Sequence, residues 1–237
     1  MLELEIGLTT GVLYKSSYDI VERLNAVMDI GCEVVELGFV KINDFTEREV
    51  GKIKPEHLKD FKYVSLHAPV IHYGYNQETA RVFELIKKIN RIRPLDLVVF
   101  HPDTVINFGV FDDAAFNVGF ENMDRRKQSH KTPEDFELIM VRDESFRFVL
   151  DVNHVFSNDP SMLLAAEFYR KFRDRISQIH LSGYKGYHDP LFKTEQVEII
   201  RAIEDLTVPI IIESVLHTKD LQRELDYITQ KIKELTE

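Results

Sequence analysis

One unit recurs along this chain: a short apolar run, closed by a histidine or a carboxylate, then a longer amphipathic stretch. The apolar runs are Leu4–Leu8, Val34–Leu37, Tyr63–His67, Leu97–His101, Asn117–Glu121, Arg147–Asp151, Ser177–Leu181 and Val208–Glu213. Most are almost continuously apolar, as expected of parallel strands covered on both faces. Helical patterns lie between them. Ser17–Ile30 opens on a serine cap and stops at Gly31, and Thr79–Ile92 sets Val82, Leu85, Ile86 and Ile89 on one stripe. Thr132-Pro133-Glu134 reads as a cap with proline in the first turn, and Asp159-Pro160 reads the same way. A last amphipathic segment runs from Lys219 to Leu235. Eight such alternations in 237 residues predict a (β/α)8 TIM barrel occupying residues 1–237 as one domain, because no Pro/Gly/Ser-rich linker divides the chain. A doubly wound open sheet is the competing α/β architecture. No glycine-rich nucleotide fingerprint follows the first run to support it.

Composition narrows the setting. No apolar run is long enough to cross a bilayer, and Met1-Leu2-Glu3-Leu4-Glu5 lacks the basic and apolar regions of a signal peptide. The lone cysteine, Cys32, allows no intramolecular disulfide and suits a reducing cytoplasm. A formal charge of −10 works against non-specific nucleic-acid binding over the whole surface, although a basic mouth can sit on an acidic body.

The runs end on or beside polar residues at equivalent places: near Glu36, and at His67, His101, Glu121, Asp151, His180 and Glu213. Carboxylates and imidazoles are costly to bury without partners. In a barrel these strand ends converge on one mouth, where active sites form. Histidines and carboxylates gathered there call for a compensating cation, and they are the ligands zinc, manganese and related ions accept. The separations are those of βα units, for example 34 residues from His67 to His101 and 33 from His180 to Glu213. The expectation is one or two divalent ions, zinc or manganese.

The ordered pieces Ser65-Leu66-His67-Ala68-Pro69, Phe100-His101-Pro102, Phe120-Glu121-Asn122, Asp151-Val152-Asn153-His154, Ile179-His180-Leu181 and Ile212-Glu213 resemble the xylose isomerase-like TIM barrels. That superfamily contains endonuclease IV and many sugar isomerases and epimerases. The resemblance implies that Glu121, Asp151, His180 and Glu213 form the single-ion set of the epimerases. It further implies that His67 and His101 hold a second zinc with a bridging Glu121, as in endonuclease IV. His154 and His188 look like two ligands of a third zinc, but Gly186 stands where endonuclease IV has an aspartate.

Two chemistries follow. In the first, which the sequence favours, a sugar or sugar phosphate is isomerised or epimerised, with Glu121 and Glu213 moving protons across the substrate while the metal steadies the enediolate. In the second, an endonuclease IV-like zinc phosphodiesterase acts on abasic-site DNA. A non-catalytic binding protein is the third reading, disfavoured because so many costly residues would be left without support. After the fifth run, Arg125, Arg126 and Lys127 are candidates to hold a phosphate, or form a solvated loop. Glu36 is a candidate partner for a substrate hydroxyl, or a structural salt bridge. Tyr14, Phe39, His72, Tyr73, Tyr75, Tyr184, Tyr187 and Phe192 follow strand ends and suit either a sugar pocket or packing. A symmetric homo-oligomer is compatible with such an enzyme, and no membrane partner is expected.

Overall fold

A computed structural model describes residues 4–39 and 41–236; the first three residues of the stretch read for a leader lie outside these. Eight strands form a closed barrel in sequence order: β1 (Ile6–Thr9), β2 (Val34–Gly38), β3 (Tyr63–His67), β4 (Leu97–Phe100), β5 (Val118–Glu121), β6 (Arg147–Asp151), β7 (Ile176–Leu181) and β8 (Ile210–Ile212). Every neighbouring pair is parallel, and β8 closes on β1 through Ile6↔Ile210 and Leu8↔Ile212. The expected barrel is therefore present, and the open sheet is not.

The strand ends shift by a residue or two. His101 and Glu213 stand one residue beyond β4 and β8. The last strand starts later than expected because Pro209 has no N–H for the ladder; its carbonyl still accepts from Ile179 N at 2.9 Å. Leu4 and Glu5 precede the first strand, although the Glu5 carbonyl accepts from Ile210 N at 2.8 Å.

Helix starts moved more. Asp19, not Ser17, caps the helix Ile20–Asp29, accepting from Val21 N and Glu22 N while Glu22 accepts from Asp19 N at 2.8 Å. This reciprocal pair satisfies N–H groups a helix end leaves open. Gly31, at φ 79, ends that helix as expected. Asn76 caps the helix Gln77–Ile92, whose first residue comes two before the expected start at Thr79. Thr132 and Pro133 do open the helix Pro133–Arg142. Asp159-Pro160 opens none. It links the helices Val152–Asn158 and Leu163–Phe172, and Asp159 accepts from Ser161 N and Leu164 N across that link. The final helix is Leu221–Thr236, preceded by a tight turn at Thr218–Asp220.

Alternation along each strand sends one set of side chains outward, against the helices, and the other into the lumen. The outward set forms the main apolar core. In the lumen, Leu97, Val99 and Val149 make a small separate apolar cluster with Tyr63 packed on it. Beside them the lumen is polar: Glu36, Ser65 and Gln178 are all fully buried. Above this layer the strands reach the mouth.

Candidate metal centre

Strands β3, β5 and β6 end on His67, Glu121 and Asp151, and His180 is the penultimate residue of β7, while His101 and Glu213 follow β4 and β8 directly. Barrel closure brings all six together. Glu121 lies at the middle: its Oε1 is 2.6 Å from His180 Nδ1, and its Oε2 is 3.0 Å from His101 Nε2 and 3.4 Å from His67 Nε2. His180 Nδ1 is also 3.4 Å from Glu213 Oε1. Donor atoms of His67, His101 and Glu121 fall within 4.8 Å of one another, and so do those of Glu121, Asp151, His180 and Glu213. Glu121 belongs to both groups. A further combination, His67, His180 and Glu213, meets the same limit.

The electrostatics fit divalent ions. Among the described residues no lysine or arginine pairs with Glu121, Asp151 or Glu213; they pair only with imidazoles. Burial would raise Glu121, but His180, His101 and His67 outweigh it and hold the carboxyl well below its usual range. Burial pushes Asp151 up to about 6 and Glu213 up to about 8. Burial works against a charge on His180, yet Glu213, Glu36 and Glu121 hold it well above its usual value. Asp151 Oδ2 and His101 Nδ1 are buried with no hydrogen-bond partner. Mixed imidazole and carboxylate donors, several of them carboxylates without a fixed cation, are what zinc and manganese sites require.

His154 and His188 border these groups without joining them: His154 Nδ1 is 3.3 Å from Asp151 Oδ2, and His188 Nδ1 is 3.7 Å from Glu213 Oε2. Their rings are 5.6 Å apart, and His154 Nδ1 lies 2.8 Å from the Asn122 carbonyl while His188 Nδ1 lies 2.9 Å from Ser182 Oγ. Burial, with His154 beside it, takes His188 down to about 3. On the loop after β5, the carboxylate that approaches His154 Nε2 is Asp124, at 4.0 Å. Its two oxygens are engaged by Arg126. Gly186, in the position noted above, is exposed.

A cavity of about 540 Å³ opens over the centre, lined by His67, His101, Glu121, His154, His188 and Glu213 together with Tyr14, Tyr187, Arg126 and Lys127. Arg126 lies over the Tyr187 ring at 5.2 Å, and Lys127 is tied to Asp103 at 2.7 Å. Arg125 is exposed and is not among the lining residues. Glu36 is also not in the lining; it lies beneath His180, 3.1 Å from Nε2. Of the aromatic residues after strand ends, Tyr14 and Tyr187 line the cavity. Tyr73 is packed with Phe83, Phe100 and Phe111, and Phe39 with Phe45. A second cavity, about 440 Å³, opens near Cys32, Lys62 and Lys233, and no histidine lines it.

Sequence reasoning missed several contributors. Arg23 and Lys41 line the mouth from the β1 and β2 sides, and nothing in their local patterns marks them. Asn122 joins the ends of β5 and β6, accepting from Asp151 N at 2.8 Å and donating to its carbonyl at 2.9 Å. Gln178 and Ser65, polar residues inside apolar runs, were a readable signal of the lumen network described above.

No protein-family model matches the sequence, and no curated protein sequence does. Solved structures match over nearly the whole chain. A D-tagatose 3-epimerase-like protein is 14% identical at a TM-score of 0.71, covering 98% of each chain. Endonuclease IV from Thermus thermophilus is 13% identical at a TM-score of 0.71, covering 97% of this chain and 99% of its own. An L-ribulose 3-epimerase is 12% identical at a TM-score of 0.67, covering 99% and 96%. At these identities the likeness shows the fold alone, a (β/α)8 TIM barrel.

Proposed function

We propose that this chain is a divalent-metal-dependent phosphoester hydrolase whose centre holds two ions sharing Glu121. The observation that carries this reading is the pair of donor groups with Glu121 common to both. Paired ions with a shared carboxylate neutralise a phosphoryl group and supply a nucleophile at neutral pH. His67 and His101 are surplus to a one-ion centre, and both face Glu121.

The chain's own residues divide the remaining work. Glu121, with both oxygens committed to imidazoles, holds the donor groups together. Glu213, whose side chain is 13% exposed against 1% for Glu121, is the more open of the two carboxylates of the centre that line the cavity and meets the substrate. Arg126 and Lys127 are held in place by Asp124 and Asp103 and present cations to an anionic substrate from one side; Arg23 and Lys41 do so from the other. Tyr14 and Tyr187 supply walls for a sugar face. The substrate class is therefore a phosphorylated sugar unit, of which an abasic nucleotide in DNA is one form.

A second reading, a one-ion sugar isomerase or epimerase using Glu121 and Glu213, is favoured by the compact cavity and the charge of −10. Metal analysis and His101→Ala separate the two. The hydrolase reading expects two ions per chain, cleavage of an abasic-site oligonucleotide or an aryl phosphodiester, and a loss of about 100-fold or more in the variant, the scale seen when a shaped electrostatic contact is removed. One ion per chain, with His101→Ala retaining full turnover of a ketose or sugar phosphate, would establish the second reading instead.

A further inference from the structure

Of the carboxylates that the sequence marked at the mouth, Glu36 alone neither lines the cavity nor joins a donor group among the described residues, and it is not at a strand end. It lies in the middle of β2, fully buried, with Ser65 beside it in register. One oxygen, Oε2, gathers three polar contacts: Gln178 Nε2 donates at 2.8 Å, Ser65 Oγ donates at 3.3 Å, and His180 Nε2 lies at 3.1 Å. Gln178 is anchored in turn by the Tyr63 hydroxyl, which donates to its Oε1 at 3.0 Å. The other oxygen, Oε1, is buried without a partner. Among the described residues no lysine or arginine pairs with Glu36, so it is not one half of an ordinary salt bridge.

An ionisable group is expensive in such a place, and an apolar residue would fill the lumen at lower cost. What Glu36 controls is the far side of His180. Nε2 is enclosed by Glu36 and by Gln178, whose amide nitrogen is 2.6 Å away, so only Nδ1 faces the donor group. A carboxylate behind a ligating imidazole selects its tautomer and raises its basicity as a ligand.

Neither of the other two imidazoles has a carboxylate behind it. His67 Nδ1 lies 3.1 Å from a backbone carbonyl, that of Ala68, and His101 Nδ1 has no partner. We infer that Glu36 is a positioning residue that fixes His180 with Nδ1 toward the metal, making the Glu121, Asp151, His180 and Glu213 group the tightly held ion site and the His67 and His101 group the exchangeable one. This rests on the two-ion reading proposed above.

The test is a metal titration of chelator-treated protein with zinc, wild type against Glu36→Gln, with each site's dissociation constant read separately. Two wild-type constants are expected. In the variant, the tighter should weaken by about 10- to 100-fold, the usual cost of losing such a partner, while the weaker one stays put. Unchanged constants, or equal weakening of both as a merely structural role would give, overturn the inference. A single wild-type ion overturns the two-ion reading instead. Should the variant fail to fold, nitrogen-15 NMR of the zinc-loaded wild type decides. A proton on His180 Nε2 with Nδ1 bound is the expected state, and ligation through Nε2 overturns it.

Discussion

Glu121 shows how one residue can be decisive through its neighbours. Three imidazoles surround its two oxygens, so replacing it with glutamine removes an acceptor that both donor groups need. Glu121→Gln should therefore lower metal content at both sites, and Glu213→Gln should abolish turnover with less metal lost. Elemental analysis beside an activity assay checks the pair, and full activity in Glu213→Gln would show that the site lies elsewhere. Protons compete with ions at this centre. In the metal-free chain burial pushes Glu213 up to about 8; His67 reaches about 9 because Glu121, aided by Glu36 and Glu213, outweighs the burial that opposes its charge. Each group must give up its proton to act as a ligand, so affinity should be weak below pH 8 and climb as pH rises through 9. Calorimetric zinc titrations on either side of that window, about two units below and one above, would reveal it, and equal affinities would remove these two groups from the ligand set. At this scale the sequence was most readable where a polar residue closed an apolar run. It was silent on Arg23 and Lys41, whose importance depends only on which loops face each other across the mouth.

Elements fix how closely these residues approach. Gly38 ends β2 at the mouth, and a Cβ there would sit 2.5 Å from Thr9 Oγ1 and 2.8 Å from Gly11 N. Gly38→Ala should cost about 1–3 kcal/mol through overpacking against that backbone, measurable as a lower urea midpoint. Asp19→Ala should cost about 1 kcal/mol by removing the helix cap, with metal content unchanged; an equal loss of metal would show that this helix start and the centre are coupled. Strands were legible to within two residues because burial on both faces leaves an unbroken apolar signature. Helix starts were less so. Ser17 and Asp19 are both able caps, and the choice depends on whether Glu22 can reach back to Asp19. At Asp159 the cap chemistry was real, but its acceptor serves Leu164 N, so the helix begins later than the Asp-Pro pair suggested.

As a whole, the molecule concentrates buried charge at one end of a barrel whose remaining lumen is partly apolar. Ions that bind only the folded chain stabilise it by about 2.7 kcal/mol each at about 100 times their dissociation constant. Chelation should therefore lower the melting temperature, and added zinc restore it; a melting temperature indifferent to metal would contradict a centre built from these residues. No helix among the described residues is long and apolar enough to cross a membrane. The barrel and the set of polar strand ends were determined by the sequence itself, because an apolar period and a repeated βα unit are local properties that survive without knowing any contact. Only the tertiary structure decided how those ends combine. Glu36 meets His180 across 144 residues, and Glu121 meets His180 across 59. Such pairings are set by strand register and barrel closure, which convert one coordinate along the chain into a shared layer in space. That geometry made Glu121 the common donor, placed Glu36 behind a ligand instead of before a substrate, and left His154 and His188 outside both groups.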